Sequence, residues 1–162
     1  MDKNFDCWNE TKKKVDLVPP PYFKERDIWW CIFGVNVGVE IDGKGDFYTR
    51  PAVIIRKINN HGCYVVPLTT QSSKHTPEFS LSVGIVDEKP AYANITQVKA
   101  ISSKRLEQRI GTLKSDIFNL IKKSARDFIF PADLLNSPLI PEGQPEGDIK
   151  SIAKNDSMDN FF

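Results

Sequence analysis

The sequence is poor in the residues that bind metals or form disulfides. Its 162 residues include three cysteines and two histidines. Cys7, Cys31 and Cys63 are an odd set with no metal-ligand spacing. The N-terminus also lacks an apolar segment followed by a cleavage site, so we predict reduced thiols in a cytoplasmic protein. We expect no metal and no other cofactor at its functional site.

Long apolar runs are missing as well. No run approaches the 18 or so consecutive apolar residues of a membrane helix, so we expect no membrane contact. The chain is nevertheless 40% hydrophobic. A chain of this length and composition has enough apolar residues for the core of one soluble domain, with extensions at its ends.

Charge is unevenly distributed along the chain, although the formal net charge is only +1. Residues 22–130 contain 16 Lys and Arg against 11 Asp and Glu, whereas residues 131–162 contain 2 against 6. A basic domain suits a phosphate backbone. An excess of this size is equally typical of a solvated surface, so charge alone leaves both interpretations open.

These patterns divide the chain into three predicted regions. In residues 1–21, Lys12–Lys14 precede Pro19–Pro21, which favours an extended and partly disordered N-terminal arm. Residues 22–130 are predicted to form the folded domain. Residues 131–162 are acidic and rich in proline and glycine, so a mostly disordered tail is expected there.

The most informative stretch is residues 50–71, RPAVIIRKINNHGCYVVPLTTQ. Two apolar runs flank Asn and Gly residues that favour a turn, which predicts a β-hairpin. Arg50 lies at its entry, and Thr69, Thr70 and Gln71 lie at its exit. Antiparallel pairing brings these two ends together, so we expect a cation and two hydroxyl groups to form a site there.

The rest of the domain is predicted to be mainly β-structure with one C-terminal helix. Residues 27–33, DIWWCIF, read as a strand with two apolar faces, and one of its tryptophans fills a barrel or faces a partner or ligand. A long glycine-containing loop at 34–49 follows. Short strands near 79–83, 91–95, 97–101 and 107–113 indicate a small barrel. Ser115 is the predicted N-cap of a helix over 115–129.

Six segments resemble, in the same order, the PemK/MazF family of toxin ribonucleases from toxin–antitoxin pairs. They span about two-thirds of the chain: RDIWW at 26–30, GVE at 38–40, RPAVII at 50–55, VPLTTQ at 66–71, ITQVKAI at 95–101 and RLEQRIGTL at 105–113. The resemblance implies an α+β fold with the SH3-like barrel that CcdB gyrase poisons also have. It further implies a homodimer, an antitoxin partner and single-stranded RNA as substrate.

The resemblance also assigns catalytic roles to Arg50, Thr69 and Glu40. Family members cleave RNA without a metal, using the 2′-hydroxyl beside the scissile phosphate as nucleophile. Arg50 suits the phosphate because its planar group donates two hydrogen bonds and stays charged. Thr69 adds a donor, and Glu40 is the candidate base. The predicted substrate-binding residues are Trp30, Thr70, Gln71, Lys74 and Gln97.

Three departures from the family pattern affect these assignments. Val39 and Thr96 stand where some members have histidine and aspartate, and the loop between Glu40 and Arg50 is longer than usual. Simpler roles also exist: Arg50 pairing with Glu40, and Thr69 capping a strand. At the level of function, the alternatives are a non-catalytic gyrase-binding toxin and an inactive RNA-binding relative.

Overall fold

The computed structural model describes residues 3–131. The predicted acidic tail therefore lies almost entirely outside the described residues. The described part contains two helices, α1 (Phe5–Asp16) and α2 (Ser115–Ile129). Its seven strands are β1 (Asp27–Ile32), β2 (Thr49–Lys57), β3 (Gly62–Thr69), β4 (Ser80–Val86), β5 (Lys89–Asn94), β6 (Lys99–Ser102) and β7 (Leu106–Thr112).

The strands form one curled antiparallel sheet. Its order is β4-β5-β3-β2-β1-β7, and β6 also pairs with β3. Strand β3 thus pairs with three neighbours, β2, β5 and β6, which makes it the centre of the sheet. The prediction of a mainly β, α+β fold with a small barrel and a C-terminal helix is confirmed.

The predicted hairpin is formed by β2 and β3. Ala52 pairs with Pro67 and Val53 with Val66, and the four residues are buried. Alternate residues of β2 enter two different apolar clusters: Val53 joins a cluster that includes Phe118, and Ile54 joins one that includes Trp29. The continuous apolar run in β2 is explained because both faces of the strand are covered.

Strand β1 and helix α2 complete these two clusters. Ile28 belongs to the α2 cluster, whereas Trp29 and Cys31 belong to the other. Helix α2 buries Phe118, Ile121 and Ala125 on one face, as the helical spacing predicts. The predicted N-cap is wrong by one residue, since Lys114 occupies that position and makes no side-chain capping hydrogen bond.

The N-terminal arm differs from its prediction. Residues Phe5–Asp16 form helix α1, whose N-cap Asn4 accepts a hydrogen bond from the Cys7 N–H at 2.9 Å. Only Trp8 of this helix is buried. With one buried apolar residue in twelve, the segment has no repeat of apolar residues at helical spacing. The sequence pattern therefore did not predict this helix. Residues 19–24, which include Pro19–Pro21, have no regular structure.

No helix of the described region is long and apolar enough to cross a membrane.

Candidate functional site

A cavity of about 90 Å³ opens at the outer end of the β2–β3 hairpin. Arg50 at the start of β2 and Thr69 at the end of β3 both line it. Trp30 of β1, which is half-buried, and Thr70, which is exposed, also line the cavity. The cavity therefore brings together four of the eight residues that the sequence assigned to the site.

The cavity is lined by more positive than negative charge. Lys44, Arg50 and Lys89 contribute three cations, and Asp87 is the one acidic residue of the lining in the described structure. An excess of fixed positive charge around a small cleft attracts anions. The cavity is therefore suited to a phosphate or another small anion.

Arg50 is oriented by the loop that precedes it. Its Nε donates a hydrogen bond to the backbone carbonyl of Asp42 at 3.0 Å. Partial burial lowers the pKa of Arg50, and the negative charge of Asp42 opposes this shift. The group stays protonated because the ordinary pKa of arginine is so high. Within the described structure, its two Nη atoms have no protein acceptor, which leaves one side of the guanidinium available for a ligand.

Thr69 and its neighbours form the opposite rim. The Thr69 hydroxyl accepts a long hydrogen bond from the Gln71 N–H at 3.4 Å. This contact uses an oxygen lone pair and leaves the hydroxyl proton free to be donated to a ligand. Gln71 itself is exposed and is not part of the cavity lining.

Glu40 is not in the position predicted for it. It is exposed in the turn at residues 37–40 and does not line the cavity. Within the described residues, Glu40 and Arg50 form no ion pair. Asp42 lies beside Arg50, in the position that was expected for Glu40. The Glu40 N–H donates a hydrogen bond to the Val37 carbonyl at 3.2 Å, which closes this turn.

Gln97 holds this loop instead of facing the cavity. Its side-chain oxygen accepts the Ile41 N–H at 2.9 Å, and its side-chain nitrogen donates to the Val39 carbonyl at 3.3 Å. Both polar atoms of the amide are thus used to fix the residues on either side of Glu40. Lys74, in the loop after β3, is exposed and also lies outside the cavity lining.

Asp42 is a site residue that was not predicted from the sequence. Its carboxylate accepts the Asn36 N–H at 2.6 Å and forms an ion pair with Lys3 at 2.9 Å. Burial raises the pKa of Asp42, but the hydrogen bonds from Lys3 and Asn36 and the charges of Lys3 and Arg50 outweigh it and lower the pKa. The position of Asp42 in a glycine-rich loop was the one available signal.

In residues 3–131 no cluster of acidic, histidine or cysteine side chains suits a metal.

Comparison with known proteins identifies the family. Residues 24–129 match the family described as the PemK-like, MazF-like toxin of type II toxin–antitoxin systems. The chain belongs to this family. Helix α1 lies before the matched residues, whereas the cavity residues lie within them.

Solved structures of MazF toxins and of an endoribonuclease are similar to this chain. MazF (Form-I) from Deinococcus radiodurans has a TM-score of 0.54 and 12% identity, over 69% of this chain and 98% of that chain. The Mycobacterium tuberculosis toxin MazF-mt6 has a TM-score of 0.48 and 14% identity, over 64% and 96%. An endoribonuclease in complex with its cognate antitoxin, from a mycobacterial species, has a TM-score of 0.47 and 15% identity, over 74% and 100%. A comparison with curated proteins found no match.

Proposed function

We propose that this chain is a toxin endoribonuclease that cleaves single-stranded RNA without a metal ion. The observation that carries the proposal is the convergence of Arg50 and Thr69 on one cationic cavity of a PemK/MazF-type domain. Solved proteins of similar fold are described as endoribonucleases, which is consistent with the proposed chemistry.

Arg50 binds the scissile phosphate in this proposal. Because the Asp42 carbonyl holds Nε, the two Nη groups are directed away from the loop and donate to two phosphate oxygens. The positive charge stabilises the phosphorane as negative charge builds up on its oxygens. Thr69 donates one further hydrogen bond, and Lys44 and Lys89 lie along the same cavity, where neighbouring phosphates would pass.

The attack itself needs a proton acceptor near the RNA 2′-hydroxyl. That oxygen forms a bond to phosphorus and its proton passes to a base. The bond to the 5′-oxygen breaks and this oxygen takes up a proton from water, which gives a 2′,3′-cyclic phosphate and a 5′-hydroxyl. Asp87 lines the cavity, whereas Glu40 does not. We therefore assign the base to Asp87 in place of Glu40, and we expect Asp87→Asn to lower kcat much more than Glu40→Gln.

The proposed partners are an antitoxin protein and a second copy of this chain. One solved relative is a complex with a cognate antitoxin, and another is a MazE–MazF complex. An antitoxin that covers the cavity would exclude RNA from Arg50.

Trp30, half-buried on the cavity wall, offers a ring on which a base of the single strand stacks.

The test is RNA cleavage in the presence of EDTA. Arg50→Ala should lower kcat by about 100- to 1000-fold, as for loss of a charged donor to a transition state, and Thr69→Val by about 10-fold or more. Arg56→Ala is the matched control: Arg56 lies on the same strand, its side chain is 69% exposed, and it forms an ion pair with Glu25 at 3.6 Å. It should cleave at the parental rate.

Three results would reject the proposal. Cleavage that survives both Arg50→Ala and Thr69→Val would place the site elsewhere. Cleavage that depends on added magnesium would rule out the metal-free mechanism. Intact RNA after incubation with the folded parent protein would favour a toxin that acts by binding alone.

A further inference from the structure

Helix α1 is packed against the loop that orients Arg50. The Trp8 ring lies over Gly34, so closely that a Cβ atom at Gly34 would be 2.2 Å from it. Trp8 also meets the Tyr48 ring edge-on, with centroids 5.6 Å apart. Gly34 and Tyr48 are the two ends of the loop, and the Gly34 N–H donates to the Tyr48 carbonyl at 3.2 Å. One buried side chain of α1 therefore holds both ends of the loop.

A second contact reaches the middle of the loop. Lys3, just before α1, donates to the Asn36 carbonyl at 2.6 Å and pairs with the Asp42 carboxylate at 2.9 Å. The backbone carbonyl of the same Asp42 accepts the hydrogen bond from Arg50 Nε. Lys3 is thus connected to Arg50 through a single residue.

Two further contacts fix α1 to the domain. Lys104 pairs with Asp16 near the end of the helix at 2.8 Å, and the Arg105 guanidinium lies 5.4 Å from the Trp8 ring centroid. Arg105 in turn donates to the carbonyls of Ile32 and Phe33, at the end of β1. The helix therefore has a fixed position from which Lys3 and Trp8 act on the loop.

We propose that α1 is a positioning element of the site, in which Lys3 and Trp8 hold the loop at residues 34–48 so that the Asp42 carbonyl orients Arg50. Its effect on cleavage rests on the proposed function. The Lys3–Asp42 pair is about one-third exposed, so its contribution to stability is small. Its effect on geometry is larger, because a displacement of about 1 Å at a reacting group costs about 100-fold in rate.

The experiment uses the full chain with Lys3→Ala, the conservative Lys3→Arg and the control Lys13→Ala. Lys13 lies on helix α1, close to Lys3 in sequence, and forms an ion pair with Glu10 at the surface. Two readouts are measured: amide hydrogen exchange at Asn36, whose N–H binds Asp42, and kcat and KM for RNA cleavage. Lys3→Ala should increase exchange at Asn36 about 10-fold and lower kcat about 10-fold, with KM within about twofold.

The controls separate positioning from general destabilisation. Lys3→Arg should restore both readouts to within about twofold, and Lys13→Ala should change neither. The melting temperature of Lys3→Ala should fall by less than about 4 °C, as for the loss of an exposed ion pair.

Several results would overturn the inference: unchanged exchange at Asn36, faster exchange with unchanged kcat, or equal effects of Lys3→Ala and Lys13→Ala. A parent protein that cleaves no RNA would reject the proposed function instead. Hydrogen exchange would still decide in that case whether Lys3 holds the loop.

Discussion

The two walls of the cavity are built in different ways. Thr69 stands on β3, where Leu68 pairs with Ala93 and Thr69 with Tyr92 in the backbone ladder, above a buried core. The wall behind Arg50 is the loop at residues 34–48. Backbone hydrogen bonds close this loop on itself, and side chains from distant parts of the chain attach it to the rest of the domain. The first wall opens only when the sheet opens, whereas the second rests on separate, individually weak contacts and opens locally. The proposed catalytic geometry therefore depends most on the less stable wall.

The largest expected change in stability comes from adding a methyl group at one glycine of the loop and at one glycine of the sheet. Gly34 in the loop and Gly84 in β4 both have left-handed backbones, with φ of 83° and 90°. Alanine costs about 1–2 kcal/mol in such a conformation. At Gly34 it also collides with Trp8, whereas at Gly84 no atom lies within 4 Å. We expect Gly34→Ala to lower the free energy of unfolding by about 2–4 kcal/mol, and Gly84→Ala by about 1 kcal/mol, in urea titrations.

The pair of variants isolates the contact with α1, because the backbone strain is common to both. Equal losses of stability would mean that Trp8 does not press on Gly34. In that case the loop would not be held by α1 at its first end, and the contrast between the walls would be weaker.

A smaller effect is expected from releasing the loop at Gln97. Gln97→Leu removes both hydrogen bonds to the backbone around Glu40, so exchange of the Ile41 amide should increase and stability should fall by about 1 kcal/mol. Gln97→Glu retains the acceptor for Ile41 but loses the donor to Val39. The exchange rate of the Ile41 amide in this variant should therefore lie between the rates in the parent and in the leucine variant.

The same variants decide between the two roles of Gln97. Resemblance to the family implied contact with the substrate, whereas the structure places the amide against the loop. If Gln97→Leu raises KM for RNA while the Ile41 amide exchanges at the parental rate, the side chain contacts RNA directly. Faster exchange together with lower kcat supports the role in the loop.

The sheet-built wall was predictable because its signals are local. Apolar runs and a turn of Asn and Gly specify the hairpin, and antiparallel pairing then dictates that Arg50 and Thr69 meet. The family resemblance supplied the same two residues independently. The cavity they share is therefore a consequence of one short stretch of sequence.

The loop-built wall was not predictable, because its contacts join residues far apart in the chain. Lys3 and Asn36 are 33 residues apart, and Gln97 and Ile41 are 56 apart. No periodic pattern links such pairs. Glu40 was misplaced for this reason, since a single turn decides whether its side chain faces the cavity or the solvent. Helix α1 was missed because Trp8 is its one buried residue.

The smallest effect is expected from thiol reactivity, which reports how the sheet opens. Cys7 on α1 is exposed, whereas Cys31 of β1 and Cys63 of β3 are buried. Burial raises the pKa of Cys63 to about 11 and raises that of Cys31 well above its usual value. Because the thiolate is the reactive form, the exposed Cys7 should react rapidly with a disulfide reagent at pH 8. The buried Cys31 and Cys63 should react only as the sheet opens.

The raised pKa of Cys63 determines the direction in which the stability of the fold changes with pH. A raised pKa in the folded state means that the protonated form is favoured there, so this contribution to stability is complete below about pH 9 and is lost as the pH rises toward about 11. Cys63→Ala should therefore lose less stability than the parent between pH 8 and pH 10.5, as measured by urea unfolding. An equal loss in both proteins would assign the alkaline effect to other groups.

The slow thiols also test whether the two walls open independently. Lys3→Ala should speed exchange at Asn36 without changing the labelling rates of Cys31 and Cys63, because the loop is released while the sheet stays paired. If the buried thiols react faster in this variant, the loop and the sheet open as one cooperative unit. The contacts of α1 would then stabilise the whole domain, and the loss of cleavage in Lys3→Ala would follow from unfolding instead of from a displaced Arg50.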